Sequence, residues 1–287
     1  MNILSIGNSF SQDAHRWLHQ VAENLGADFH CVNLYIGGCS LQQHWDCYSR
    51  EVAEHLLEEN GEAVRLVSIQ EALSLADWDV ITLQQASHDS GLYDTYQPFL
   101  RNLSAAIKAT CPRAKIYLQQ TWAYASDSTH WAFPRYHNDQ AEMYAALIAA
   151  YKQAADDIDA GIIPVGEVIQ YMRQNASAFA AVPLTRDGFH LSLTYGRYAA
   201  ALTWCGMLTD KDVRNCTFVP WDESGAADEA LLAAVNQAVW QVWKAKKCVK
   251  GRRKLWISKT CRKNTVLSPF GHGTKNCRST SPCARRR

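Results

Sequence analysis

No run of eighteen apolar residues occurs in the 287-residue chain, so no segment is expected to cross a bilayer as a helix. Met1 leads straight into an apolar strand pattern, with no charged stretch followed by a signal-like apolar core; the expectation from this is a cytoplasmic protein. Neither Gly-x-x-x-x-Gly-Lys nor Gly-x-Gly-x-x-Gly is present, which removes the usual cradles for nucleotide phosphates. The ten cysteines never form Cys-x-x-Cys and never cluster with histidine at zinc spacing. Scattered thiols of this kind read as buried side chains in a reducing compartment. No metal and no cofactor is expected. No repeat of 20–50 residues is visible, which removes solenoids and propellers.

Acidic residues are absent from one region only. Residues 248–287 hold twelve of the 29 Lys and Arg and no Asp or Glu, so all 28 acidic residues lie in 1–247. The chain therefore divides into an acidic body, 1–247, and a basic tail, 248–287, in which helical periodicity fades and disorder is expected. Apart from Trp256 and Phe270 the tail has no aromatic interleaving, and no nucleic-acid module is present, so nucleic acid is not the expected partner.

In the body, short apolar runs alternate with helical spacing. Strands are expected near 3–6, 29–36, 79–85, 114–120 and 160–165. Helices are expected after residue 14, over 41–59, 68–76, 96–110 and from 141, and over 192–208 and 226–247. That alternation implies an α/β protein: a three-layer α/β/α sandwich around a parallel sheet of about five strands. Its ligand site should lie outside the carboxyl ends of the strands. The stretch 121–138 is irregular and rich in aromatics, either a lid that stacks sugar rings or packing beneath a long loop.

Ile3, Leu4 and Ile6 end at Gly7, and Asn8-Ser9-Phe10-Ser11 then opens helical spacing at Ala14, Trp17, Leu18 and Val21. A serine at such a junction faces a cleft and has free backbone N–H groups beside it. The same junction also arises from N-capping alone or as a phosphate-binding turn. Far along the chain, Asp187-Gly188-Phe189-His190 precedes another helical pattern. A serine nucleophile needs a base, and the base needs a carboxylate to fix its tautomer, so the two segments suit one another.

Four segments, in order, carry a resemblance: Gly7-Asn8-Ser9-Phe10-Ser11, Gly37-Gly38-Cys39-Ser40, Leu83-Gln84-Gln85-Ala86-Ser87 and Asp187-Gly188-Phe189-His190. The chain resembles the SGNH hydrolase superfamily (GDSL-like esterases), in a Gly-Asn-Ser branch near the carbohydrate O-acetylesterases, over most of residues 1–208. The resemblance implies a serine esterase with Ser9 as nucleophile, His190 as base and Asp187 as orienting acid. It implies an oxyanion hole from the N–H groups of Ser9 and Gly38 and a side-chain donor from the third segment. Many members read Gly-x-Asn-Asp there; this chain departs from that. Gln85 is the expected donor, with Gln84 and His88 as alternatives, because a glutamine amide donates without a proton question. Gln84, His88, Trp122 and Trp131 are expected to line the substrate site. The expected substrate is a small-molecule or carbohydrate ester. A catalytically silent sugar- or anion-binding domain of the same fold is the alternative, and a flavodoxin-like phosphate binder a third, disfavoured by the Asp187/His190 pair.

Overall fold

A computed structural model describes residues 1–175 and 177–263, the stretch 248–263 through its backbone alone. The first strand, β1 (Asn2–Gly7), carries Ile3, Leu4 and Ile6 fully buried, as a strand covered by helices on both faces requires. Its one polar member in the interior, Ser5, is matched inside: Thr82 Oγ1 donates to Ser5 Oγ at 2.8 Å, and Ser5 Oγ lies 2.7 Å from His15 Nε2. Past Gly7 the chain enters α1 (Ser9–His15) and α2 (Leu18–Asn24), then returns as β2 (His30–Tyr35), parallel to β1.

Next comes α3 (Leu41–Arg50), whose start is fixed by a capping box: Ser40 Oγ accepts the Gln43 N–H and Gln43 Oε1 accepts the Ser40 N–H. The helix expected over 41–59 stops there, at Glu51 in the left-handed region. The chain then doubles back as a hairpin, β3 (His55–Glu59) and β4 (Glu62–Val67), turned by Asn60-Gly61 with φ of 51° and 91°. Asn-Gly is the dipeptide that two-residue hairpin turns favour, because both residues tolerate positive φ.

Beyond the hairpin lie α4 (Ile69–Leu73), β5 (Val80–Leu83), α5 (Phe99–Thr110), β6 (Lys115–Gln119), α6 (Gln140–Ile158), β7 (Gly161–Ile163), α7 (Val165–Asn175), α8 (Tyr195–Thr209) and α9 (Glu229–Lys263). The main sheet has seven strands in the order β4-β3-β2-β1-β5-β6-β7, not about five. The additional pair is the hairpin, in which β3 pairs antiparallel with β2 and β4 antiparallel with β3; the other five strands are parallel, as expected. Helix α8 packs on α1, α2 and α7, while α5 packs on α3 and α6, giving the two helical layers of an α/β/α sandwich. Trp17, Trp122 and Trp204 are among the largest buried side chains, each contributing about 1.5–3 kcal/mol or more by leaving water.

Because β1 pairs with β2 on one side and β5 on the other, the strand order reverses at β1. A crevice opens at the carboxyl end of such a strand, and Ser9 sits there. Residues Met1–Ala245 form one compact unit, and the described residues from Lys246 onward belong to a second. Helix α9 spans Glu229–Lys263. The rest of the expected disordered tail, 264–287, lies outside the described residues.

Candidate active site

The four sequence segments converge on the turn after β1. Asn8, buried and extended (φ −137°, ψ −157°), caps α1 by accepting the Phe10 N–H at 3.0 Å. Its Nδ2 donates to the Cys39 carbonyl at 2.9 Å, and its Oδ1 also accepts Gln84 Nε2 at 2.6 Å. One side chain thus ties the serine turn to the Gly37-Gly38 loop and to the end of β5. An aspartate could not donate to Cys39 O, which gives a physical reason for Gly-Asn-Ser here in place of Gly-Asp-Ser.

Ser9 Oγ lies 2.8 Å from His190 Nε2, and His190 Nδ1 lies 2.6 Å from Asp187 Oδ2. Partial burial pushes the Asp187 carboxyl up, but hydrogen bonds from the His190 ring and from the His190 and Phe189 N–H groups outweigh it, holding the group below its usual value. An ionised Asp187 accepts only, so Nδ1 carries the imidazole proton, and Nε2 is left to accept from the Ser9 hydroxyl. The His190 ring is wedged between Phe189 at 4.1 Å and Phe10 at 5.9 Å between centroids.

The loop that bears the base is irregular and held by its own backbone. Phe189 O accepts Trp122 Nε1 at 2.6 Å, Gly188 O accepts the Ala125 N–H at 2.7 Å, and His190 O accepts the Arg186 N–H at 2.9 Å. Gly188 has φ +84°, and a Cβ there would stand 3.0 Å from Ser128, so only glycine fits without strain. Gly38 too lies in the left-handed region (φ +66°), but it is exposed, with nothing within 4 Å of where a Cβ would project. The backbone there is open to an incoming group.

Gln85 is not where the sequence expectation needs it. Its Oε1 accepts the N–H groups of Leu41 and Ala86, both at 2.9 Å, and its Nε2 donates to Thr95 O and Thr95 Oγ1, both at 3.0 Å. All four hydrogen-bonding positions are used, so the amide has no proton left for an oxyanion. The cause is that β5 ends at Leu83, two residues earlier than expected, so strand parity no longer aims these side chains. Gln84 is the one directed to the serine turn, through Asn8. Trp122 is also corrected: it is wholly buried, stacked on Phe10 at 4.2 Å, and supports the site from below without a face to offer a substrate.

Trp131, by contrast, is 66% exposed. His88 lies 5.3 Å from its ring and the Arg135 guanidinium 5.0 Å above it. Burial, opposed by Asp89 and aided by Arg135, lowers the His88 pKa; burial and the neighbouring His88 and His190 lower that of His130. Both are thereby biased toward the neutral ring, His88 beside Trp131 and His130 beside Trp131 and Phe189. Ser87 Oγ, in the third segment, lies 2.9 Å from Tyr124 OH. The Trp, Tyr and Phe rings of 121–138 are thus buried packing, with Trp131 the exposed exception. Sequence reasoning did not reach the linking role of Asn8 or the His130 and Phe189 rings near the base.

Residues 2–238 match the model of a family described as a domain of unknown function, DUF4886. The chain belongs to the DUF4886 family. A crystal structure of a DUF4886 family protein from Bacteroides uniformis ATCC 8492 is 36% identical, with a TM-score of 0.77 over 83% of this chain and 93% of its own. A candidate SGNH hydrolase from Slackia heliotrinireducens is 26% identical, with a TM-score of 0.52 over 71% of this chain and 97% of its own. No curated protein matches the chain. This DUF4886 chain therefore has the SGNH/GDSL hydrolase fold. No helix among its described residues is long and apolar enough to cross a membrane. A cavity of about 820 Å³ in the DUF4886 domain borders Asp187 and Gly188, but neither Ser9 nor His190 lines it.

Proposed function

We propose that this DUF4886 chain is a serine ester hydrolase that works through an acyl-enzyme. The observation that carries the reading is the continuous contact from Ser9 Oγ through His190 to Asp187, at 2.8 and 2.6 Å. Ser9 Oγ attacks the ester carbonyl while His190 Nε2 takes its proton. Asp187 holds the ring in that tautomer and offsets the imidazolium charge. The protonated His190 then gives its proton to the departing alcohol, and a water, activated in the same way, releases the acid and restores Ser9.

The tetrahedral oxygen would be met by two backbone N–H groups. Ser9 is the first residue of α1, so no carbonyl of its own helix can reach its N–H. Gly38 supplies the second from an open, positive-φ turn. Gln84 acts one step back, by holding Asn8.

An O-acetyl group on a carbohydrate is the substrate this site suits. Trp131 offers an exposed ring for a sugar face, with neutral His88 beside it for a hydroxyl. The test is a panel of O-acetylated mono- and oligosaccharides, with long-chain acyl esters as controls. Acetate release by the wild-type chain, absent from Ser9→Ala, is expected. Sugar binding without acetate release would instead make the domain a silent binder.

A further inference from the structure

Asp13 is fully buried on α1, one helical turn beyond Ser9 and on the same face. Its Oδ2 accepts the Leu191 N–H at 2.8 Å, while its Oδ1 accepts Arg186 Nη1 at 3.0 Å and Arg197 Nε at 2.8 Å. Arg186 also donates Nη1 to Leu191 O at 2.5 Å and its backbone N–H to His190 O at 2.9 Å. The residues that flank Asp187–His190 on either side, Arg186 and Leu191, are therefore gripped by one carboxylate. That carboxylate stands on the nucleophile's own helix. Arg197 extends the grip to α8.

Burying a carboxylate is costly unless its lone pairs are met, and packing alone would be served by an apolar side chain. What the ion cluster adds is geometry. The loop carrying His190 has few regular backbone bonds, only the Thr185–Leu191 bridge and the turns around it. Among the described residues, Asp13 is the carboxylate of α1 that ties this loop down, at both of its ends.

We propose that Asp13 is a positioning residue: it pins the Asp187–His190 loop to the Ser9 helix and so sets the 2.8 Å approach of His190 Nε2 to Ser9 Oγ. It rests on the serine-hydrolase reading above and deepens it.

Asp13→Asn keeps the size but turns one acceptor into a donor that faces either an N–H or a guanidinium. Arg186→Met removes the second strap from a more exposed position. For each variant, kcat and KM on p-nitrophenyl acetate are measured, together with the rate at which a fluorophosphonate labels Ser9, well below the melting temperature. Both variants should lose about 10–100-fold in kcat and in labelling rate, as a sub-ångström misplacement does, with KM changed less than about twofold. A merely structural role would lower the melting temperature and leave kcat of the folded fraction alone. An active wild type with both variants at wild-type kcat overturns the Asp13 assignment and spares the hydrolase reading. A wild type that neither labels nor turns over overturns both. Should Asp13→Asn fail to fold by circular dichroism, Arg186→Met decides.

Discussion

The nucleophile and the base are held by different kinds of structure. Ser9 stands at the junction of β1 and α1, where a buried strand, a capping asparagine and a short helix fix the backbone. His190 stands on a loop with little regular structure, whose backbone accepts hydrogen bonds from Trp122, Ala125 and Arg186 and donates one, from Leu191, to Asp13. Secondary structure holds the first with redundant contacts. The second depends on a few side chains distant in sequence, so each loss should show. The difference teaches that activity should be more fragile on the His190 side, and stability more fragile on the Ser9 side.

The sharpest way to break that comparison is at the orienting acid. Asp187→Asn, isosteric and on an exposed loop, should leave the melting temperature nearly unchanged and lower kcat by about 10⁴-fold, the cost of the wrong imidazole tautomer in other triads. Wild-type turnover in that variant would remove Asp187 from the mechanism.

On the other side, Asn8→Asp tests the capping link. The substitution leaves a cap but puts a carboxylate against the Cys39 carbonyl, a buried acceptor with its donor removed. A stability loss of about 1–3 kcal/mol is expected, seen as a lower midpoint in urea, along with a fall in turnover as Gly38 drifts. An unchanged midpoint would show that the Gly38 loop does not depend on Asn8.

Acid should strike the Ser9 side before the His190 side. Burial pushes His15, on α1, down to about 3, and His55, on β3, down to about 4. Both values lie below those of the unfolded chain, so between roughly pH 6.5 and those values the unfolded state binds protons that the folded state does not. Stability is therefore full above about pH 6.5 and declines as pH falls, by about 2 kcal/mol per histidine at pH 5. The Asp187 carboxyl is lowered as well, but from a lower usual value, so its contribution is intact at pH 5 and is lost only as pH falls below that usual value toward the lowered one. Urea midpoints at pH 7.5 and pH 5 for wild type and His15→Gln measure this. Equal pH slopes in the two proteins would contradict the assignment to His15.

The smallest contrast separates two neighbouring glutamines. Gln85→Leu leaves the Leu41 and Ala86 N–H groups without their acceptor and should destabilise by about 1–3 kcal/mol, with kcat of the folded protein within about threefold. Gln84→Ala should do the reverse, lowering kcat more than stability, because it loosens Asn8. A loss of about 10²–10³ in kcat for Gln85→Leu, the size expected for an oxyanion donor, would restore the role that its hydrogen bonds deny it.

The β1–α1 junction was legible because local chemistry determines it: an apolar run, a glycine and a capping residue need no distant partner. The Asp187–His190 pair was legible through spacing. The β3–β4 hairpin was missed although Asn60-Gly61 announces it, because Leu56 and Leu57 also satisfy a helical period. Gln85 was misassigned because alternation applies only inside a strand, and β5 stops at Leu83. Trp122 looked like a platform because nothing local distinguishes a buried tryptophan from an exposed one in an irregular stretch. Asp13 could not be read at all, since Arg186, Leu191 and Arg197 lie more than 170 residues away along the chain.

The most direct test of the serine-hydrolase reading is peptide mapping by mass spectrometry after reaction with a fluorophosphonate. Ser9 and Ser11 lie two residues apart, but Ser11 Oγ is buried between Asn8 O at 2.8 Å and Asn33 Oδ1 at 2.7 Å, leaving Ser9 as the one in contact with the base. One adduct per chain on Ser9, abolished by His190→Ala, is the predicted result. An adduct on Ser11, or no adduct on a folded wild-type chain, would contradict it.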